Sequence, residues 1–132
     1  MSPTVVPNFK QTKKPRKKAS LLKECDTLFG KIVRLPGRCV SCHGTDVIQA
    51  AHGFSRRYRA VRWDERNCFP LCRAEHVYFT HRPLEWDAWL RETWGESLYT
   101  ELRVLAMTGP NPLLKDVLER LRLRWSELEG AA

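Results

Sequence analysis

Apolar residues recur every three or four positions from Ser20 to Val33: Leu21, Leu22, Cys25, Leu28, Phe29, Ile32 and Val33. That spacing marks one face of an amphipathic helix, with Ser20 as its N-cap and Pro36-Gly37 as its stop, and predicts a helix over 20–35. Cys25 falls on the stripe and reads as a core thiol. The period then changes. VIQAAHGF (47–54) and CFPL (68–71) are short apolar runs suited to two strands, and helical spacing returns from about Cys72. After Pro83 the chain reads as helical to its end. Leu84, Trp86, Trp89 and Leu90 precede a break at Gly95, and Leu98, Leu102, Leu105 and Ala106 form the next stripe. TGPNP (108–112) ends that helix and opens another, with Asn111 as cap and Pro112 in the first turn. Leu113, Leu114, Val117, Leu118, Leu121 and Trp125 make its apolar face. The tryptophans on these stripes read as core.

The pattern predicts a small α+β protein. A chain of 132 residues suffices for one domain. We place it at 20–132, as a helix (20–35), a strand–strand–helix core (36–82) and C-terminal helices (83–129).

Charge adds a partner class. Residues 1–19 hold six Lys/Arg, no acid and three prolines, which predicts a flexible basic arm serving either as a phosphate contact or as a solubilising tail. Over the whole chain, 23 Lys+Arg against 15 Asp+Glu leave +8, a balance that suits a polyanion, most simply nucleic acid. No apolar run approaches the roughly 18 residues of a membrane span. The N-terminus lacks the apolar segment of a secretory signal, so a cytoplasmic, reducing setting is expected. Five cysteines there point to metal or buried thiols rather than disulfides.

The candidate chemistry begins at CVSCHG (39–44). A CxxCH run can be a covalent haem attachment, half of a zinc site or a redox pair. The expected compartment weighs against haem. Cys39 and Cys42 can point two thiolates at one ion, and zinc requires four ligands placed tetrahedrally, about 2.3 Å away for sulfur. NCFPLCRAEH (67–76) supplies the rest: Cys72, and as fourth ligand either Glu75, one helical turn on, or Cys68. His43 ranks below both and reads as a loop residue; His81 reads as surface or phosphate-contacting.

Within this cysteine frame the order His52, Asn67, His76 appears. The stretch AAHGFSRRYRAVRWDERNCFPLCRAEHVYFTHRPLEW resembles the HNH endonucleases, the ββα-metal fold, and looks most like the branch of phage recombination nucleases called NinG or Rap. The similarity runs from about Leu28 to Leu102.

The resemblance implies a zinc-clamped ββα core and a metal-dependent DNA endonuclease. His52 would be the general base, Asn67 would orient its ring, and His76 would hold a catalytic Mg²⁺ or Mn²⁺. Arg56 would pair with a phosphate, and Arg57, Arg59 and Arg62 would grip flanking backbone. It also suggests branched recombination intermediates as substrate, a two-fold dimer to meet them, and a bacterial host cell as the setting of a phage protein. Two positions depart from the family pattern. Ala51 stands where many members carry a metal-binding Asp or His, so the cation would be held by His76 with water and DNA, or by another acid such as Asp64. Glu75 stands where a cysteine is expected. A non-catalytic zinc-containing DNA-binding module is the alternative that Ala51 favours.

Overall fold

A computed structural model of the chain describes residues 18–131. Most of the basic arm assigned to 1–19 therefore lies outside the described residues. Its last two positions belong to the first helix, α1 (Lys18–Arg34). Ser20 sits inside α1 instead of capping it, because Lys18 and Ala19 are themselves good helix formers. Gly37, at φ 69°, makes the turn beyond α1, and its amide donates to the Arg34 carbonyl at 2.9 Å.

The sheet is one antiparallel pair. β1 (Ile48–His52) runs against β2 (Cys68–Cys72), with Ile48 opposite Cys72 and His52 opposite Cys68. Between them lie a one-turn helix α2 (Arg59–Arg62) and a 3₁₀ turn (Glu65–Asn67). Four helices follow: α3 (Arg73–Thr80), α4 (Pro83–Trp94), α5 (Glu96–Thr108) and α6 (Leu114–Ala131). Gly95, at φ 84°, separates α4 from α5, where the break was predicted. The architecture is thus α+β, mostly helical with a two-stranded sheet. Among the described residues no helix is long and apolar enough to cross a membrane.

Helix α6 starts two residues later than its sequence predicts. The Leu113 carbonyl takes the first amides, Asp116 at 3.0 Å and Val117 at 3.1 Å, so Leu113 and not Asn111 occupies the cap position. Asn111 precedes a proline, which disfavours helical geometry there. Leu113 consequently leaves the apolar face and is exposed, as is Leu84 at the start of α4.

Two apolar clusters hold the elements together. In one, Cys25, Phe29, Ile32 and Val33 of α1 meet Leu114, Val117, Leu118 and Leu121 of α6 around Trp63 and Cys68. Cys25 is the core thiol its stripe predicts, and its Sγ–H points at the Leu114 carbonyl, 3.5 Å away. The second cluster is small: Cys39, Ala51, Leu71 and Cys72, bordered by Ile48, Phe69, Phe79 and Trp86. Trp86 and Trp89 stack at 5.1 Å with Phe69 and Phe79 against them, so these tryptophans pack as their stripe implies. Trp63, flanked by Arg62 and Asp64 in sequence, lies on no apolar stripe and is nonetheless buried.

Candidate metal centre and histidine cleft

The loop after α1 is folded around sulfur. The Cys39 amide donates to the Gly44 carbonyl at 2.8 Å, and the His43 amide to the Cys39 carbonyl at 2.9 Å, closing a tight knuckle. Its amides also reach the thiols: Cys42 N lies 3.5 Å from Cys39 Sγ, and Gly44 N lies 3.4 Å from Cys42 Sγ. The Val40 amide pins the knuckle to the Pro70 carbonyl of β2 at 3.0 Å. That contact brings Cys72, at the β2–α3 junction, to the other two cysteines.

The Sγ atoms of Cys39, Cys42 and Cys72 all lie within 4.8 Å of one another, and those of Cys42 and Cys72 are 3.6 Å apart. Two sulfurs about 2.3 Å from a tetrahedral zinc are separated by about 3.7 Å, so the spacing fits the ion. Burial raises the Cys39 thiol, but the amides of Cys42, Cys72 and Ser41 outweigh it and hold the thiol below its ordinary value. The Gly44 amide lowers Cys42, yet the sulfurs of Cys72 and Cys39 beside it push the thiol up. The crowding of sulfurs that pushes Cys42 up is what a bound cation relieves. The three cysteines could therefore hold a metal ion, and zinc is consistent with them.

Neither fourth-ligand candidate joins the three sulfurs within 4.8 Å. Glu75 lies on α3 beside the knuckle, where Ser41 Oγ donates to its Oε1 at 2.5 Å. Cys68 stands at the opposite end of β2, about 13 Å along the strand from Cys72, in the cluster around Trp63. Burial pushes its thiol up to about 12 despite a hydrogen bond from the Phe69 amide, the state of a core thiol and not of a ligand. The structure does not bring Cys68 to the other three cysteines. His43, at φ 66°, is a knuckle residue whose carbonyl accepts from Arg38 Nη1 at 2.9 Å. His81 is exposed at the end of α3.

His52 ends β1 and is half-buried. Its Nε2–H donates to the Arg62 carbonyl at 2.9 Å, which leaves the lone pair on Nδ1, and Phe29 lies 5.7 Å away, ring to ring. Burial lowers its pKa; the Arg56 and Arg62 charges add to this, while the Arg62 carbonyl and Asp26 oppose it. His76, on α3, donates Nδ1–H to Gln49 Oε1 at 2.7 Å, and its Nε2 keeps a lone pair. Burial lowers its pKa as well. Both imidazoles are thus neutral at pH 7.

The two histidines line one cleft of about 660 Å³ together with Asp26, Gln49, Arg34 and Arg56. They also border a smaller one of about 240 Å³, walled by Leu71, Phe79, Pro83 and Trp86.

Asn67 does not orient the imidazole. It is fully buried, and its Nδ2 donates to the carbonyls of Phe54 at 3.0 Å and Val61 at 3.1 Å, while its Oδ1 accepts the Phe54 amide at 2.7 Å. It braces the loop that follows His52 from both sides, and the ring itself is held by the Arg62 carbonyl. Gly53 fits between them: a Cβ there would lie 2.6 Å from Trp94 and 3.0 Å from Asn67 Oδ1. Asn67→Ala should cost about 2–4 kcal/mol, since it removes the partner of the Phe54 amide and of the Phe54 carbonyl, worth about 1–3 kcal/mol each, while the Val61 carbonyl keeps the Asp64 amide. Urea unfolding measures this, and a loss below about 1 kcal/mol contradicts the brace.

Three further expectations are revised. Arg62 does not reach out to a polyanion: its side chain is 13% exposed and its guanidinium is bound by Asp26 at 2.6 Å. Ala51 is buried against Cys39, Leu71 and Cys72, so its position faces the apolar cluster. Asp64 caps the 3₁₀ turn, pairs with Arg66 at 2.7 Å and lines a separate hollow with Arg59, Trp63 and Arg120. Arg56 and Arg57 are exposed, and Arg59 is half-exposed. Asp26, whose carboxylate ties α1 to the loop before β2, is a site residue that spacing alone does not single out, because its partners lie 36 and 37 positions away. The chain matches no protein-family model, no curated protein and no solved structure.

Proposed function

We propose that the protein is a metal-dependent DNA endonuclease of the HNH type, with a structural zinc clamped by Cys39, Cys42 and Cys72 and completed by Glu75. One observation carries the reading: two neutral imidazoles of opposite tautomer share a single cleft edged by Arg34 and Arg56. His52 offers its Nδ1 lone pair to deprotonate an attacking water. His76 offers Nε2 while its other nitrogen is engaged by Gln49, the arrangement typical of a metal-binding histidine. A magnesium or manganese ion at His76, completed by water and substrate phosphate, would supply positive charge for the phosphoryl and leaving oxygens. Arg56 pairs with the phosphate, and Arg57 and Arg59 contact flanking backbone, in keeping with the net charge of +8.

Branched recombination intermediates are the substrate we favour, gripped by a homodimer, in the cytoplasm of a bacterial host. Ala51 supports a second reading, a non-catalytic zinc-containing DNA-binding module, because the residue preceding the base histidine offers no metal ligand. Incubating supercoiled plasmid and a four-way junction with Mg²⁺ or Mn²⁺ separates the two. The enzyme reading requires nicking by the wild type that His52→Ala lacks. Binding of DNA without such nicking establishes the module instead.

A further inference from the structure

The peptide unit joining Arg62 to Trp63 is held from both flanks by one carboxylate. Asp26 of α1 takes Arg62 Nε at 3.1 Å and Nη2 at 2.6 Å on its two oxygens, and Trp63 Nε1 at 2.9 Å. The oxygen of that same peptide accepts His52 Nε2–H. A two-oxygen grip on a guanidinium fixes direction as well as distance. Phe29, on the same helix one turn past Asp26, lies against the imidazole. Both the carbonyl that holds the ring and the aromatic side chain beside it are thus tied to α1, a helix outside the strand–strand–helix unit.

We infer that Asp26 is a positioning residue for His52. It fixes the Arg62–Trp63 peptide so that its carbonyl selects the Nε2–H tautomer, which leaves the basic lone pair on Nδ1. The catalytic meaning of this rests on the proposed role of His52; the tautomer does not. A carboxylate that merely ties α1 to the loop would affect stability and leave the tautomer alone.

The test uses Asp26→Asn in the full chain, a change of equal size that loses the charge and one of the two acceptor oxygens. Ring-nitrogen NMR at about pH 8, with His52 assigned by difference from His52→Ala, reads the tautomer. The wild type should show one Nε2–H ring, and Asp26→Asn a mixture of both tautomers. On DNA, kcat should fall about 10- to 100-fold with KM held within about twofold, the pattern of a displaced base and not of lost binding. A folded Asp26→Asn with unchanged ring-nitrogen shifts overturns the inference, whatever its melting temperature. Should Asp26→Asn fail to fold, Arg62→Lys decides, since it keeps the cation and loses the fork. The same tautomer mixing is expected, and an unaltered ring again overturns the inference. If the wild type cuts no DNA, the nuclease reading fails while the ring-nitrogen result still settles the role of Asp26.

Discussion

With the proposed zinc bound, stripping it with a strong chelator, or replacing Cys72 by Ala, should cost about 3–6 kcal/mol and disorder the strand pair ahead of the α1–α6 layer. The reason is the size of the second cluster. Its buried members are Cys39, Ala51, Leu71 and Cys72, two of them sulfurs of the candidate metal centre and one an alanine. A two-stranded sheet is marginal on its own, and four such residues bury little apolar surface. A closed zinc site adds binding free energy to folding because the unfolded chain has no preformed site. A loss of this size approaches the whole stability of a small domain. Thermal melts with and without chelator, with the loss reversed by added Zn²⁺, measure the effect. Cys68→Ala provides the contrast: it should lower stability through a core cavity and leave zinc content unchanged. Equal melting with and without chelator, together with full zinc content in Cys72→Ala, would sink the metal assignment.

What the sequence made legible follows from range. Helical stripes and the CxxC knuckle are local patterns, so α1, the β1–β2 pair and the three-cysteine group are readable from spacing. Cys72 could be placed because a β2–α3 junction puts a strand end and a helix start at one point. Sequence leaves the fourth position open between Glu75 and Cys68, because both are near Cys72; strand geometry carries Cys68 to the far end of β2, while Glu75 lies beside the knuckle on Ser41 without joining the sulfur group. The support of the imidazole was not legible. It runs through a backbone carbonyl at Arg62 and a carboxylate at Asp26, and neither carries a local signature. Arg62 looked like a phosphate contact because an arginine in a basic run gives no sign of being turned inward. Asn67 stood at the right place, but a buried side chain that satisfies three backbone groups resembles, in sequence, one that satisfies a ring.

On the proposed nuclease mechanism, His52→Ala should lower the rate of DNA cleavage by about 10²- to 10⁴-fold, the usual contribution of a positioned general base. Substrate binding should change little, because the exposed Arg56 and Arg57 are untouched. The pH profile carries the sign. Burial holds His52 below its ordinary 6.5, so the neutral base is present at pH 7 and kcat/KM should stay level down to that region, falling only below pH 6.5. His76 is depressed in the same direction, and its protonation would remove the proposed ligand of the catalytic cation, so the acid limb should be steeper than that of one group. Stability follows the same direction. In the window between the depressed folded value and 6.5 the unfolded chain binds more protons than the folded one, so stability rises with pH there and is lost as pH falls. His52→Ala should flatten that dependence by the share of one histidine, the same ring that contributes one of the two protonations in the catalytic limb. A cleavage profile whose acid limb lies above pH 7, or an acid stability loss unchanged in His52→Ala, contradicts the burial of a neutral imidazole at the end of β1.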